Sequence, residues 1–441
     1  MFKPNIACKY YPYKATNGGT KSNPPFVLGI GGKNLERFVK WTCFITSACV
    51  AVIFILSLYI GTLLPDSFMV QEGDTVRLAE MPFIKVRQNE GASAVANVRK
   101  GNSYNASLAL GGLVPVKTVR AEVVSRRMVN LCGTPFGIKM FANGAMIVGF
   151  SDIYTATGYC NPAKNAGLKM GDVMQSIAGK PTKTNEDVAN ALQNLAGAPA
   201  EVRYMRNGVQ KSVRITAVRD AAGGTWRTGM WVRDSSAGIG TLTFVDAASG
   251  TFAGLGHSIH DVDTGQALTL RKGEIVAVEI TGAVSGTQGS PGELKGRFLS
   301  TIPMGVITIN GETGVYGHAT AALSDTQTEL AYAQEITAGP AEIVTTIHGQ
   351  TPQHYNVEIE KIALNAQNQN RNMIIHITDT RLLSATGGIV QGMSGSPILQ
   401  NGRLVGAITH VLVNDPTRGY GIFAENMLKT ADIAKLGQAV A

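Results

Sequence analysis

From Trp41 to Leu64 the chain carries no charged residue: WTCFITSACVAVIFILSLYIGTLL. As a helix rising ~1.5 Å per residue, this run reaches about 36 Å, enough to cross a hydrocarbon core of ~30 Å with some tilt. A buried helix of a soluble protein is the alternative, and the flanks argue against it. Lys33, Arg37 and Lys40 precede the run, and Pro65 and Asp66 follow it. Positive charge marks the cytoplasmic side. Residues 41–64 are therefore expected to anchor the chain, with residues 1–40 as a basic cytoplasmic tail and the rest outside. A cleaved signal peptide fits less well, because the apolar run and the leading tail are too long and no small-x-small site follows.

Charge follows the same division. The net charge is +8, yet residues 1–40 hold seven Lys and Arg against Glu36 alone. The body is nearly neutral, which argues against a nucleic-acid groove there. Charged residues make up 16% and hydrophobic ones 44%, which excludes a disordered chain. The 51 glycines follow no Gly-X-Y period and lie among Val, Ile and Thr, so short strands and tight turns are expected. Beyond the anchor only Cys132 and Cys160 remain. Two cysteines make no disulfide framework, and they are expected to stay unpaired.

The body divides into three regions. Residues 65–126 alternate apolar and polar positions, as in Ile84-Lys85-Val86, and read as a small β region. Residues 127–218 hold a strand at Ala145–Gly149, then Pro162-Ala163, then Ala166-Gly167-Leu168-Lys169-Met170-Gly171-Asp172 before an apolar strand. A helix follows, with Thr184 as cap and Asp187 at the capping-box position. Val188, Ala191, Leu192 and Leu195 repeat at helical spacing, Gly197 ends the helix, and Asn207-Gly208 signals a type I′ hairpin. This order of elements resembles a PDZ domain of the bacterial protease-associated kind. The resemblance implies a carboxylate-binding loop at Gly133, Phe136, Gly137 and Ile138. Glycines there let backbone amides converge on an anion, and an adjacent strand edge accepts a peptide C-terminus as an extra strand.

Residues 219–441 have many short apolar runs punctuated by glycine, which predicts an all-β sandwich or barrel. Gly392-Met-Ser394-Gly-Ser-Pro397 leads into a hairpin turned by Asn401-Gly402. A serine in such a loop suits acyl transfer, because glycine lets two amides point at one spot where an oxyanion forms. By analogy the donors are the amides of Gly392 and Ser394. A serine nucleophile needs a base and an orienting group. His257, in Gly254-Leu-Gly-His257, precedes the serine; His318 has a similar setting, and His410 follows on the hairpin as a residue of the substrate cleft. Asp261, Asp263, Asp325 and Asp379 lie between His257 and Ser394, and spacing alone does not choose among them.

Taken together, Gly254–His257, Asp379, Gly388–Pro397 and Thr409–Pro416 resemble the SpoIVB peptidases of endospore-forming bacteria. That resemblance covers most of residues 66–441. It implies a mostly β chain with an N-terminal transmembrane helix, an α+β PDZ domain and a chymotrypsin-like double β-barrel. It implies a serine endopeptidase with His257, Asp379 and Ser394 as triad and no metal or organic cofactor. It further implies self-cleavage and, in the space between the forespore membranes, cleavage of a membrane-bound regulator of an intramembrane metalloprotease that then activates a late sigma factor. Met393 stands where trypsin-like chains have Asp, which excludes activation by an ion pair with a freed N-terminus. Two other readings are a membrane-tethered quality-control protease and a PDZ scaffold with an inactive barrel.

Overall fold

A computed structural model describes residues 32–87, 101–261, 263–265 and 270–438. The chain divides into two units, Met1–Leu56 and Ser57–Ala441. Helix α1 spans Gly32–Leu63. Its Glu36–Leu63 portion, 28 residues, is long and apolar enough to cross a membrane. Trp41, Phe44, Val50, Val52, Phe54 and Ile55 are all exposed on it. A helix that is apolar on every face suits lipid rather than water. Most of the expected basic tail, residues 1–31, lies outside the described residues.

The second unit opens with a four-stranded sheet: β1 (Ser67–Gln71), β2 (Ile84–Arg87), β3 (Ser103–Leu110) and β4 (Val114–Val124), in the order β1-β4-β3-β2. Phe68, Val70, Leu108 and Val119 are buried in it.

Two six-stranded barrels follow. The first is built from β5 (Pro135–Phe150), β9 (Met230–Asp246), β10 (Thr251–Gly254), β11 (Leu270–Val284), β12 (Gly305–Gly311) and β13 (Gly314–Ala319). It closes in the order β5-β9-β10-β13-β12-β11. The second is built from β14 (Gly339–Thr345), β15 (Gln353–Ile362), β16 (Met373–Ile377), β17 (Pro397–Gln400), β18 (Arg403–Leu412) and β19 (Asp415–Phe423). It closes as β14-β15-β16-β19-β18-β17. Counted from its own first strand, each barrel has the order 1-2-3-6-5-4, so both repeat one Greek-key path.

The elements expected to form a PDZ domain sit between the first and second strands of the first barrel. They comprise α2 (Pro162–Asn165), β6 (Val173–Ile177), α3 (Asn185–Leu195), β7 (Ala200–Arg206) and β8 (Val209–Ile215). Thr184 caps α3 in a capping box with Asp187, and Val188, Ala191 and Leu192 are buried, as the pattern predicts. Asn207 and Gly208 both have positive φ, as the type I′ turn requires. The sheet order is β8-β7-β6-β5-β9, so β5 and β9 serve both this sheet and the barrel. This displaces the expected boundaries at 127 and 219. An apolar alternation that runs unbroken through two domains gives no sign of where one ends.

The barrels meet at a glycine. A Cβ on Gly395 would lie 2.0 Å from the Thr241 carbonyl oxygen and 2.5 Å from the Leu255 nitrogen. Gly395 also has φ +94°, a conformation other residues rarely adopt. Gly395→Ala is therefore expected to cost about 1–3 kcal/mol in denaturant unfolding. An unchanged midpoint would show that the barrels do not close on this residue.

Candidate active site and peptide groove

The nucleophile loop is fixed by hydrogen bonds to β9. The Thr241 amide donates to the Ser394 carbonyl at 2.9 Å. The Thr241 hydroxyl donates to the Gly392 carbonyl at 2.8 Å, and the Thr243 hydroxyl to the Gly395 carbonyl at 2.7 Å. Beneath the loop the Ser396 hydroxyl bridges Met393 and Thr345. Met393 is fully buried in the second barrel. Among the described residues, the Gly392 and Ser394 amides donate to no protein acceptor. Two unspent donors on adjacent turns are what an oxyanion site requires. The Ser394 hydroxyl donates to the Thr409 carbonyl at 2.7 Å.

His257 reaches the same place from the first barrel. After β10 the chain turns through Leu255 and Gly256, both with positive φ. A Cβ on Gly256 would lie 2.8 Å from the Thr409 methyl, so only glycine lets the chain pass under β18 here. His257, Ser394 and His410 line one cleft of about 500 Å³, with Ile239, Leu255 and Val390 among its apolar walls. The His257 and His410 rings stand 4.7 Å apart between centroids. Burial pushes the His257 imidazole below its ordinary value. Burial, reinforced by His257 and then Arg371, pushes His410 down to about 4.

The rest of the expected constellation is not assembled around His257. Asp379 caps α4 (Thr380–Thr386), accepting from the Arg381 amide at 2.9 Å and the Asn356 amide at 3.2 Å. The Arg381 guanidinium donates to both its oxygens, at 3.1 and 2.8 Å, and holds the carboxyl well below the usual carboxylate range. Asp261 pairs with Arg233 at 3.0 Å, as does Asp263 at 2.7 Å, and Asp325 is exposed. His318 lies on β13 opposite Thr251 and Val306 and does not line the cleft.

A backbone carbonyl takes the orienting position instead. The His257 Nδ1 lies 2.8 Å from the Ser258 carbonyl oxygen. A carbonyl only accepts, so Nδ1 carries the proton and Nε2 keeps the lone pair a base needs. Asn310, at the end of β12, fixes the next residue: its Oδ1 accepts from the Ile259 amide at 2.8 Å and its Nδ2 donates to the Ile259 carbonyl at 3.1 Å. Sequence reading missed Asn310, because a search for a third member looks for carboxylates.

The four residues expected to form a carboxylate-binding loop are packed into the barrels. Phe136 and Ile138 are buried with Leu242, Phe252 and Ile275 in the first barrel. A Cβ on Gly133 would meet Val344, and one on Gly137 would meet Phe298. These four residues form barrel structure, and Ile138 also lines the catalytic cleft. A groove of about 550 Å³ lies between α3 and the start of β9, lined by Val188, Leu192, Trp226 and Met230. The Gln193 amide group exchanges hydrogen bonds with the Trp226 backbone, at 2.9 and 3.1 Å. At that end the Thr228 and Gly229 amides have no protein acceptor among the described residues. The sequence signal is Gly229 ahead of Met230 and Val232, within the stretch from residue 219 onward that is expected to form the barrel.

Cys132 and Cys160 are both free thiols. Burial pushes Cys132 up to about 12, which keeps it protonated and inert.

Two measurements follow from this geometry. Asp379→Ala is expected to cost about 1–2 kcal/mol through loss of the cap, read by denaturant unfolding at pH 7. Because the folded carboxyl is depressed, its stabilisation is complete above about pH 4 and fades as pH falls toward the folded value. The variant and wild type should converge in acid; a gap independent of pH would contradict the cap. Asn310→Ala is expected to lower kcat roughly tenfold with KM little changed. The imidazole ¹⁵N spectrum should show His257 losing its single Nδ1–H tautomer, and an unaltered spectrum and kcat would remove Asn310 from this role.

Residues 224–428 match the sequence model of the family described as SpoIVB peptidase S55. A probable periplasmic serine endoprotease, DegP-like, of Pseudomonas putida (strain W619) is 30% identical over 122 residues, 27% of this chain and 23% of that protein. The chain thus spans under a quarter of that relative's length. A crystal structure of the PDZ domain of an SdrC-like protein from Listeria monocytogenes is similar over 20% of this chain and 87% of its own, at 18% identity and a TM-score of 0.17. Two Greek-key barrels and a glycine-bounded serine between them agree with the match, and over residues 224–428 this chain is similar to the SpoIVB peptidases.

Proposed function

We propose that the chain is a serine endopeptidase held at a membrane by α1, its N-terminus cytoplasmic and its barrels outside. The observation that supports this best is the pair of unspent amides at Gly392 and Ser394, beside a hydroxyl that shares one cleft with an imidazole. In the proposed reaction the Ser394 hydroxyl exchanges its bond to Thr409 for one to His257. His257 takes the proton as Ser394 Oγ attacks a peptide carbonyl. The Gly392 and Ser394 amides hold the oxyanion, and the His257 cation then protonates the departing amine. The Ser258 carbonyl holds the imidazole in the tautomer that can do this. Water repeats the sequence on the acyl-enzyme and frees the serine.

The finer reading carries the family resemblance further. The substrates are the chain itself and a membrane-bound regulator of an intramembrane metalloprotease, cut between the forespore membranes during sporulation so that a late sigma factor is activated. Peptide C-termini are the ligands of the groove beside α3.

Ser394→Ala should abolish self-cleavage and cleavage in trans while leaving the melting temperature unchanged. Persistent cleavage by that variant, after purification from contaminating proteases, would refute the assignment. Because burial lowers His257, the unprotonated base persists below the ordinary imidazole value of about 6.5. The acid limb of kcat/KM is therefore expected to have its midpoint below that value, with rate lost as pH falls through it. A midpoint above 7 would show that another group limits the reaction.

A further inference from the structure

We infer that β9 is a track along which one extended substrate segment is held from the peptide groove to the catalytic serine. Cleavage would then fall at a set distance from a free C-terminus. The inference rests on the peptidase reading above and adds a rule for where the cut occurs.

Strand β9 pairs with β5 along one edge from Met230 to Thr241. Its other edge is taken by β10 only from Leu242 onward. Among the described residues no strand covers that edge from Met230 to Gly240. The direction of the backbone groups follows from Thr241. Its amide donates to the Ser394 carbonyl, and its carbonyl accepts from the Leu255 amide, so both point to the uncovered side. The β5 pairing has no register shift between Ser235 and Thr241. Backbone groups of a strand alternate between its edges. Ile239 and Ala237 therefore present amides and carbonyls on the same side as Thr241. Ala237 and Gly238 are exposed, and a Cβ on Gly238 would meet nothing within 4 Å.

The two ends of this edge are functional. At Met230 it forms one wall of the groove, beside the unspent amides of Thr228 and Gly229. Gly238 and Ile239 line the cleft that holds Ser394 and His257. Polarity is consistent as well. A carboxylate bound by the Thr228 and Gly229 amides places a peptide's C-terminus at the start of β9, and a strand added antiparallel then runs toward the cleft from C to N. Its scissile bond would reach Ser394 roughly ten residues from its end, allowing one residue of the added strand per residue of β9. The irregularities near Trp231 and Arg233 blur this by a residue or two. The occupant is thus an extended polypeptide with a free α-carboxylate.

The test uses the full chain in detergent with reduced, carboxymethylated lactalbumin as an unfolded substrate, and mass spectrometry of the first products. First cuts are expected to cluster roughly ten residues from the C-terminus. When five residues are appended to that terminus, the cuts should move with it. Blocking the terminus as an amide should raise KM at least tenfold for those cuts. Ala237→Pro removes an outward amide without touching the β5 ladder, and it should raise KM for terminus-directed cutting by a similar factor. First cuts that stay at fixed sequence positions after extension would overturn the track even if Ala237→Pro fails to fold. A fluorophosphonate reports separately on the serine. No labelling and no cleavage would overturn the peptidase reading itself, whereas labelling with terminus-independent cuts overturns only the track.

Discussion

The structure depends on the docking of one loop against one strand. Thr241 and Thr243 of β9 donate to the carbonyls of Gly392, Ser394 and Gly395, and Gly395 has no side chain to hold the barrels apart. These bonds use carbonyls of the nucleophile loop, and among the described residues they leave the Gly392 and Ser394 amides unpaired. A loop whose carbonyls are fixed has amides of fixed direction, and preorganised donors are what lower the barrier to an oxyanion. The same contact sets the distance between a histidine carried by one barrel and a serine carried by the other. Activation through a buried aspartate and a new N-terminus has no counterpart here, because Met393 fills that place with apolar packing.

The electrostatics of the site are those of a partly buried, weakly charged cleft. Among the described residues no carboxylate touches His257; its orientation comes from the Ser258 carbonyl, steadied by Asn310. A carbonyl fixes the tautomer as well as a carboxylate does, but it stabilises the imidazolium less. Burial, and after it the neighbouring His260, lower the basicity of His257. The arrangement favours a base that is free at neutral pH over one that is strong. Asp379 contributes at a distance, by holding the start of α4, the helix that precedes Gly388 and the nucleophile loop.

Local signals were legible and shared ones were not. The cap at Thr184, the apolar face of α3 and the turns at Asn207-Gly208 and Asn401-Gly402 depend on neighbours within a few residues, and they stand as the sequence predicts. Gly254–His257 and Gly392–Pro397 were legible because a tight approach between two backbones admits only glycine. The domain boundaries were not, because β5 and β9 each belong to two sheets and their alternation never breaks. The resemblance points to Gly133–Ile138 for a peptide loop, upstream of α3, whereas β9, the strand whose start flanks α3, comes after it. Asp379 was selected by resemblance; its pairing with Arg381, two residues away, is a contact the sequence offered and the triad pattern obscured.

The claim on which the account rests is that Ser394 is made reactive by His257. Treatment with a fluorophosphonate followed by peptide mapping tests it most directly. The account predicts a single adduct on Ser394, formed at least a hundredfold more slowly in folded His257→Ala. An adduct on another residue, or equal labelling rates with and without the imidazole, would contradict it.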